Sequence, residues 1–339
     1  MSRTPLSDVQ RRPDTPSAAD APEGLSSERL EQWCVGLREG VIAARGVQGQ
    51  LGQLIGCGEL IGMPVIELVD GRSRRPGGAL SWSQITRRCD ASHGRLVILG
   101  DPGYGKTVAA PTLVGDVNAR DEPDAIVAEL FSLTDWDRSQ AQRPGVRVID
   151  WLAEQLSSTY RELPLDASRR LIAEGLVLAV LEGLDEIATP QRRACVQAID
   201  TYTRGTPRRP LVLTCRSAEY DELAPGGVDA DRVVMLTALQ REHVASILAD
   251  RTATRPGWDR VRARHAAGDA TLDELFANPL RLSLALRVYH DRDAGVLLDV
   301  SVAQARGRLW ETLLGTTADT FDDATAAQNR DWLASSPPA

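Results

Sequence analysis

Gly100-Asp101-Pro102-Gly103-Tyr104-Gly105-Lys106-Thr107 has the residue types and spacing of G-x-x-x-x-G-K-[ST], the Walker A pattern. Such a loop does one kind of chemistry. Glycines let backbone amides turn inward around phosphates. The lysine supplies a compact ammonium, the Thr107 hydroxyl a ligand for Mg2+, and the helix that follows a favourable dipole. Of 39 basic residues, 38 are arginine, and Lys106 is the one lysine. A tight loop around β- and γ-phosphates needs a point charge on a flexible stem and accommodates a planar fork poorly. The pattern therefore implies binding of a nucleoside triphosphate.

A second tract, Leu176-Val177-Leu178-Ala179-Val180-Leu181-Glu182-Gly183-Leu184-Asp185-Glu186, reads as an apolar strand that delivers three carboxyls at its C-terminal end. Parallel sheets bind ligands at that edge. Clustered carboxylates need a cation, which a magnesium-bound nucleotide supplies. Glu182 and Asp185 are the candidate metal ligands with Thr107, and Glu186 the group that orients or deprotonates a water. The competing reading makes Asp185 and Glu186 caps for the next helix. A third tract, Leu211-Val212-Leu213-Thr214-Cys215-Arg216-Ser217-Ala218-Glu219-Tyr220, puts a hydroxyl (Thr214) and a guanidinium (Arg216) where another strand exits. Both could sense a γ-phosphate there; the alternative for Arg216 is a surface ion pair.

The elements around these tracts alternate. Apolar runs at Leu96–Leu99, Ile126–Leu133, Leu176–Leu181, Leu211–Leu213 and Val233–Leu236 are separated by helical patterns at Val148–Ser157, Ala167–Glu174 and Gln191–Tyr202. Continuous apolar strands spaced by helices predict an α/β fold, a parallel sheet covered on both faces. Beyond Ala238 five helical stretches follow, from Arg241 to Leu314. An interior Pro111 in the helix after the loop predicts a bend there. Expected units are a disordered tail at 1–28, a helical and irregular region at 29–94, the nucleotide domain at 95–238 and a helical annex at 239–334. Pro64–Val69 is a further strand candidate, and Pro76-Gly77-Gly78 reads as a turn.

Composition excludes several classes. Net charge is −8, aromatic content 4%, and the arginine pairs, Arg192-Arg193 among them, are scattered among acids. This argues for solvated faces and ion pairs and against a nucleic-acid groove. Five widely spaced cysteines without a C-x-x-C pair indicate neither zinc nor a disulfide framework. Four separated histidines suggest no metal or nucleophile triad. No apolar run of membrane length and no apolar signal core appear, so a cytoplasmic protein is the expectation.

In order and content, these tracts resemble the NACHT family of signal-transducing P-loop ATPases, the STAND class within the AAA+ superfamily. The segments Leu130–Asp137, Asp150-Trp151-Leu152 and Leu236–Leu248 are similar to its bacterial, especially actinobacterial, branch. Asn278-Pro279-Leu280-Arg281-Leu282 is similar to the family's proline motif, which implies that Pro279 packs on adenine. The resemblance spans Arg95 to Tyr289. It implies ATP (GTP being the alternative) with Mg2+, slow hydrolysis, a nucleotide-gated change of shape or self-association, an unidentified protein effector, and a winged-helix-like part within 239–334. Two departures stand out. Glu182 occupies a magnesium position where relatives carry Asp, and Ala277 stands where they carry Gly. The longer side chain predicts strained or water-mediated coordination, so a module that binds nucleotide without turning it over is the second reading. An AAA+ remodeller of DNA or protein is the third. The ending near Trp332, without sensor repeats or membrane segments, suggests a minimal switch or a truncated gene product.

Overall fold

A computed structural model describes residues 27–54, 65–68, 76–80, 82, 84–86, 94–120, 126–205, 207–223, 228 and 230–317. Of the tail expected at 1–28, residues 1–26 lie outside the described residues, as do Asp70-Gly71, a turn signal in the sequence, and the chain end at 318–339. Five apolar runs become parallel strands: β3 (Arg95–Leu99), β4 (Val127–Ser132), β5 (Val177–Glu182), β6 (Leu211–Cys215) and β7 (Arg232–Leu236). Every residue of β6 is buried, and β5 is buried up to Glu182. That is why these strands read as continuous apolar runs without alternation.

The sheet has seven strands in the order β2-β1-β7-β3-β6-β5-β4. Strand β1 (Val65–Leu68) pairs antiparallel with β7, and β2 (Pro76–Leu80) antiparallel with β1. The Pro76-Gly77-Gly78 turn expected from composition is therefore an edge strand. Proline is tolerated there because the first residue of an edge strand need not donate to the ladder. Strand β3 sits between β6 and β7, while the chain leaving it crosses to β4 at the far edge. The connections thus diverge at the C-terminal end of β3, the place where open α/β sheets bind ligands. The ladders β5–β6 and β3–β6 run in register (Leu181 beside Leu213, Leu99 beside Cys215), so the acids of β5 and the loop after β3 share one rim.

Helix α1 (Ser27–Leu54) precedes the sheet and α2 (Lys106–Asn118) follows the loop. Helix α2 continues through Pro111. Its far end is fastened by Asn118, 2% exposed, which exchanges two hydrogen bonds with the Ala128 backbone of β4 (2.8 and 3.0 Å). Helix α3 (Leu133–Gln142) begins where β4 stops and buries only Leu133 and Trp136. Then come α4 (Val148–Thr159), α5 (Leu165–Ala173), α6 (Thr189–Thr203) and the short α7 (Ser217–Asp221). One apolar core runs from Leu30 to Leu236.

A second core runs from Leu239 to Leu309, built by α8 (Arg241–Arg251), α9 (Trp258–Ala266), α10 (Ala270–Ala277), α11 (Pro279–Val288) and α12 (Val302–Thr317). No strand follows Leu236 among the described residues. Trp258 stacks on Phe276 (6.3 Å between ring centroids), and His265 lies against the same Phe276 with Asp273 3.3 Å from its Nε2. Both Asp273 and Phe276 belong to α10, the helix that delivers the chain to Asn278.

Burial pulls the His265 imidazole below its ordinary 6.5; Asp273 opposes this and the Arg241 charge adds to it. The folded value lies below the unfolded one. The stability contributed is therefore present above about pH 6.5 and is lost as pH falls through the depressed value. Thermal melts of wild type and His265→Gln between about pH 8 and about pH 5 check this. The wild-type advantage should shrink on acidification; a gap independent of pH would contradict it.

Candidate phosphate-binding site

The loop after β3 turns at two left-handed glycines, Gly103 (φ 81°) and Gly105 (φ 91°), conformations that side chains rarely adopt. Gly105 ends in the N-cap position of α2 with no side chain covering the first turn. The Val108 and Ala109 amides already donate to the Gly105 carbonyl (3.0 and 2.8 Å), which leaves the Lys106 and Thr107 amides at the helix start, the arrangement that receives an anion. At the root of the loop the Gly100 amide donates to the Cys215 carbonyl of β6 (3.3 Å). Lys106 folds back across the loop: Nζ donates to the Gly100 carbonyl at 2.6 Å and to that of Asp101 at 3.4 Å. Burial lowers its pKa; Asp185 opposes that shift and the Arg216 charge adds to it. Asp101, Pro102 and Thr107 are exposed, and Tyr104 is half-buried against the core.

Glu182 is the last residue of β5, and Asp185 and Glu186 ride on the single 3-10 turn Leu184–Glu186. Gly183 opens that turn in the left-handed region (φ 87°). Burial raises the Glu182 pKa; a hydrogen bond from the Thr107 hydroxyl and the Lys106 charge oppose it, while Glu186 and Asp185 add to it. Burial raises Glu186 as well, reinforced by Asp185 and opposed by Arg216 and Lys106. Lys106, Thr107, Glu182, Asp185 and Glu186 are thus within electrostatic reach of one another. The capping alternative for the acids fails: α6 starts from Ala188 with no side-chain cap.

Asp185 has a defined partner. Its Oδ2 accepts from Arg216 Nε at 2.8 Å, and its side chain is 8% exposed. Arg216 also lies 3.9 Å from Glu219. Thr214 is buried within β6 beside Ile98 of β3. Burial pushes the neighbouring Cys215 thiol up to about 12, which removes it as a nucleophile.

Among the described residues, no three His, Cys, Asp or Glu side chains converge closely enough to hold a metal by themselves. That suits Mg2+, which keeps several waters and binds through one or two carboxylates plus phosphate oxygens. Glu182 and Asp185, both half-buried, and the Thr107 hydroxyl beside Glu182 are the matching donors.

Residues 94–254 match the family model of the NACHT domain. That segment is a nucleotide-binding P-loop NTPase domain. Among solved structures the chain is similar to C. elegans PCH-2, with 11% identity and a TM-score of 0.39, over 67% of this chain and 66% of that one. It is also similar to a variant of Thermotoga maritima RuvB, with 13% identity and a TM-score of 0.34, over 66% and 64%. The chain spans just under two thirds of either structure's length. No curated protein matches it.

The phosphate loop is gripped from the helical side by a residue to which the sequence argument gave no role. Asn278, 7% exposed, donates from Nδ2 to the Pro102 carbonyl (3.2 Å) and accepts at Oδ1 from the Arg281 amide as the N-cap of α11. The Leu280 amide donates to the Gly103 carbonyl (3.2 Å), and Leu239 N to Ala277 O (2.8 Å). Pro279, between these two contacts, is buried at the first position of α11. The signal was present: Asn before Pro at the start of an apolar helical pattern marks a cap.

A Cβ on Gly103 would lie 2.8 Å from both polar atoms of Asn278, on a backbone already at positive φ. Gly103→Ala should therefore weaken nucleotide binding by about tenfold or more, since left-handed alanine costs about 1–2 kcal/mol before the clash is counted. Adding Asn278→Ala should restore part of the loss. Titration with a fluorescent nucleotide reads both, and a Gly103→Ala protein with wild-type affinity would refute the packing described.

Proposed function

We propose that the chain is a STAND-type, ATP-dependent switch of bacterial origin, acting in the cytoplasm and hydrolysing ATP slowly to ADP and phosphate. The observation that carries the reading is Lys106: a half-buried ammonium on a glycine-turned loop, with Asp185 near enough to act on its charge. Its present acceptors are main-chain carbonyls, which bind it more weakly than the oxygens of a triphosphate would. Lys106 would move from the Gly100 carbonyl to β- and γ-phosphate oxygens, and the open amides of α2 would take the remaining charge. Bound Mg2+ would neutralise charge on those oxygens. Thr107 would hold it directly. Glu182, already paired with the Thr107 hydroxyl, would reach it directly or through water, and Asp185 would do so while still holding Arg216.

Glu186 is the group for water. It is the most exposed of the three acids, and its raised pKa brings it closer to the working range of a general base. Arg216, aimed by Asp185, would meet charge on the γ-phosphate, with Thr214 behind it. Adenine would pack on Pro279. The grip of Asn278 and Leu280 on Pro102 and Gly103 couples the loop to the helices after Leu236, so the phosphate state would bias the placement of those helices, with self-association and an effector protein downstream. No helix among the described residues is long and apolar enough to cross a membrane.

The bond between Thr107 and the desolvated Glu182 favours a second reading, a module that holds nucleotide and does not turn it over. Phosphate release separates the two. Under the switch reading, Lys106→Ala abolishes binding of magnesium-ATP and Lys106→Arg is nearly as damaging, because a planar fork does not fit the loop. Glu186→Gln keeps binding and loses about 10²-fold or more in turnover. Wild-type affinity in Lys106→Arg would refute the point-charge argument. Absence of phosphate release from wild type would leave the binding module. Light scattering in ADP against a non-hydrolysable ATP analogue should show a change in mass or shape if the nucleotide gates assembly.

A further inference from the structure

Arg192 belongs to an arginine pair that composition assigns to a solvated face. The structure buries it, with 7% of its side chain exposed. It sits in the first turn of α6 and reaches backward along the chain. Nη2 donates to the carbonyls of Asp185 (3.3 Å) and Ile187 (3.1 Å), and Nη1 donates to Glu222 at 3.1 Å. Its Nε is buried with no partner among the described residues. The carboxylate it meets among the described residues, Glu222, is 60% exposed and so contributes little. Burying a guanidinium in this way is costly, and an apolar residue of similar size would fill the space at less cost. What an apolar residue could not do is hold two carbonyls.

Those carbonyls flank Glu186. The turn that carries it is short: the Glu186 amide donates to Gly183 O (3.0 Å) and the Ile187 amide to Leu184 O (3.3 Å). No side chain caps the helix that follows. Arg192 closes this gap from below. Asp185 is then held twice, by Arg192 at its main chain and by Arg216 at its carboxylate. Through Glu222 the same guanidinium also reaches the segment just past α7, which starts at Ser217 beside Arg216. One buried cation thereby ties the acidic turn to the arginine-bearing strand exit.

We propose that Arg192 is a positioning residue, whose two hydrogen bonds to the Asp185 and Ile187 carbonyls aim the Asp185 and Glu186 carboxyls at the metal and water side of the phosphate site. This rests on the proposed function, in which those carboxyls serve magnesium and water. It requires that the phosphate loop itself be independent of Arg192. Losing Arg192 should leave the hold on the phosphates intact and damage what the acids do.

The experiment compares wild type with Arg192→Lys and Arg192→Met in three readouts: ADP affinity without Mg2+, the gain in ATP affinity on adding Mg2+, and the kcat and KM for phosphate release. In Arg192→Met, ADP affinity should stay within about twofold, while the magnesium gain and kcat each fall about tenfold or more with KM little changed. Arg192→Lys should recover part of both, because an ammonium reaches one carbonyl. A packing role alone would lower the melting temperature and all three readouts together, with lysine no better than methionine; that result overturns the proposal, as does an Arg192→Met protein with wild-type magnesium gain and kcat. If Arg192→Met fails to fold, Arg192→Lys decides. An intermediate magnesium gain with intact ADP affinity supports the proposal; a wild-type gain, or loss of ADP affinity in step, overturns it. Failure of the underlying reading shows separately, in a wild-type protein that has neither magnesium gain nor turnover.

Discussion

The structure depends on one half-buried ammonium. Lys106 lies at the start of α2, folded back on the loop it belongs to, with main-chain carbonyls as its acceptors and Asp185, on the turn after β5, opposing the effect of burial. Desolvation pushes it toward neutrality and Asp185 pulls it back. A charge in that position is costly unless an anion joins it. The rest of the architecture supplies the place for that anion: two left-handed glycines, an uncapped helix start, and a sheet whose connections part on either side of β3.

The acids obey the complementary constraint. The pKa values of Glu182 and Glu186 are both raised, first by burial and then by neighbouring acids, Glu186 and Asp185 acting on Glu182 and Asp185 on Glu186. Cations stand on the sides where the protein can provide them, Lys106 on one and Arg216 on another. Glu186 is the exposed one of the three acids, on the side proposed for the nucleotide and its metal. The two halves of the site are fastened by different means. The loop is held from the helical annex by Asn278 and Leu280, while the acidic turn is held from α6 by Arg192. Each can therefore be perturbed without the other.

Much of this was legible in the sequence because it is local. The loop motif names its own lysine, and the strands of the parallel sheet announce themselves as unbroken apolar runs that end at the acids and at Arg216. What stayed hidden depends on distant partners. Strand β2 looks like a turn until β1 lies beside it. Helix α3, Leu-Thr-Asp-Trp-Asp-Arg-Ser-Gln-Ala-Gln, buries only two side chains, Leu133 and Trp136, too few apolar residues to mark a helix in so polar a stretch. Asn118 and Asn278 are buried polar residues whose partners lie 10 and 176 residues away, and Arg192 joins carbonyls 7 and 5 residues back to Glu222, 30 residues on. Of these, only Asn278 left a local trace, its place before a proline at a helix start. Arg192 resembled every other arginine in an arginine-rich chain.

The most direct test is a structure of the protein with Mg2+ and a non-hydrolysable ATP analogue. The account predicts Lys106 Nζ moved from the Gly100 carbonyl onto β- and γ-phosphate oxygens. It also predicts a metal about 2.0–2.1 Å from the Thr107 hydroxyl on the Glu182 side. Phosphates bound elsewhere, with Lys106 still on its own loop carbonyls, would contradict it.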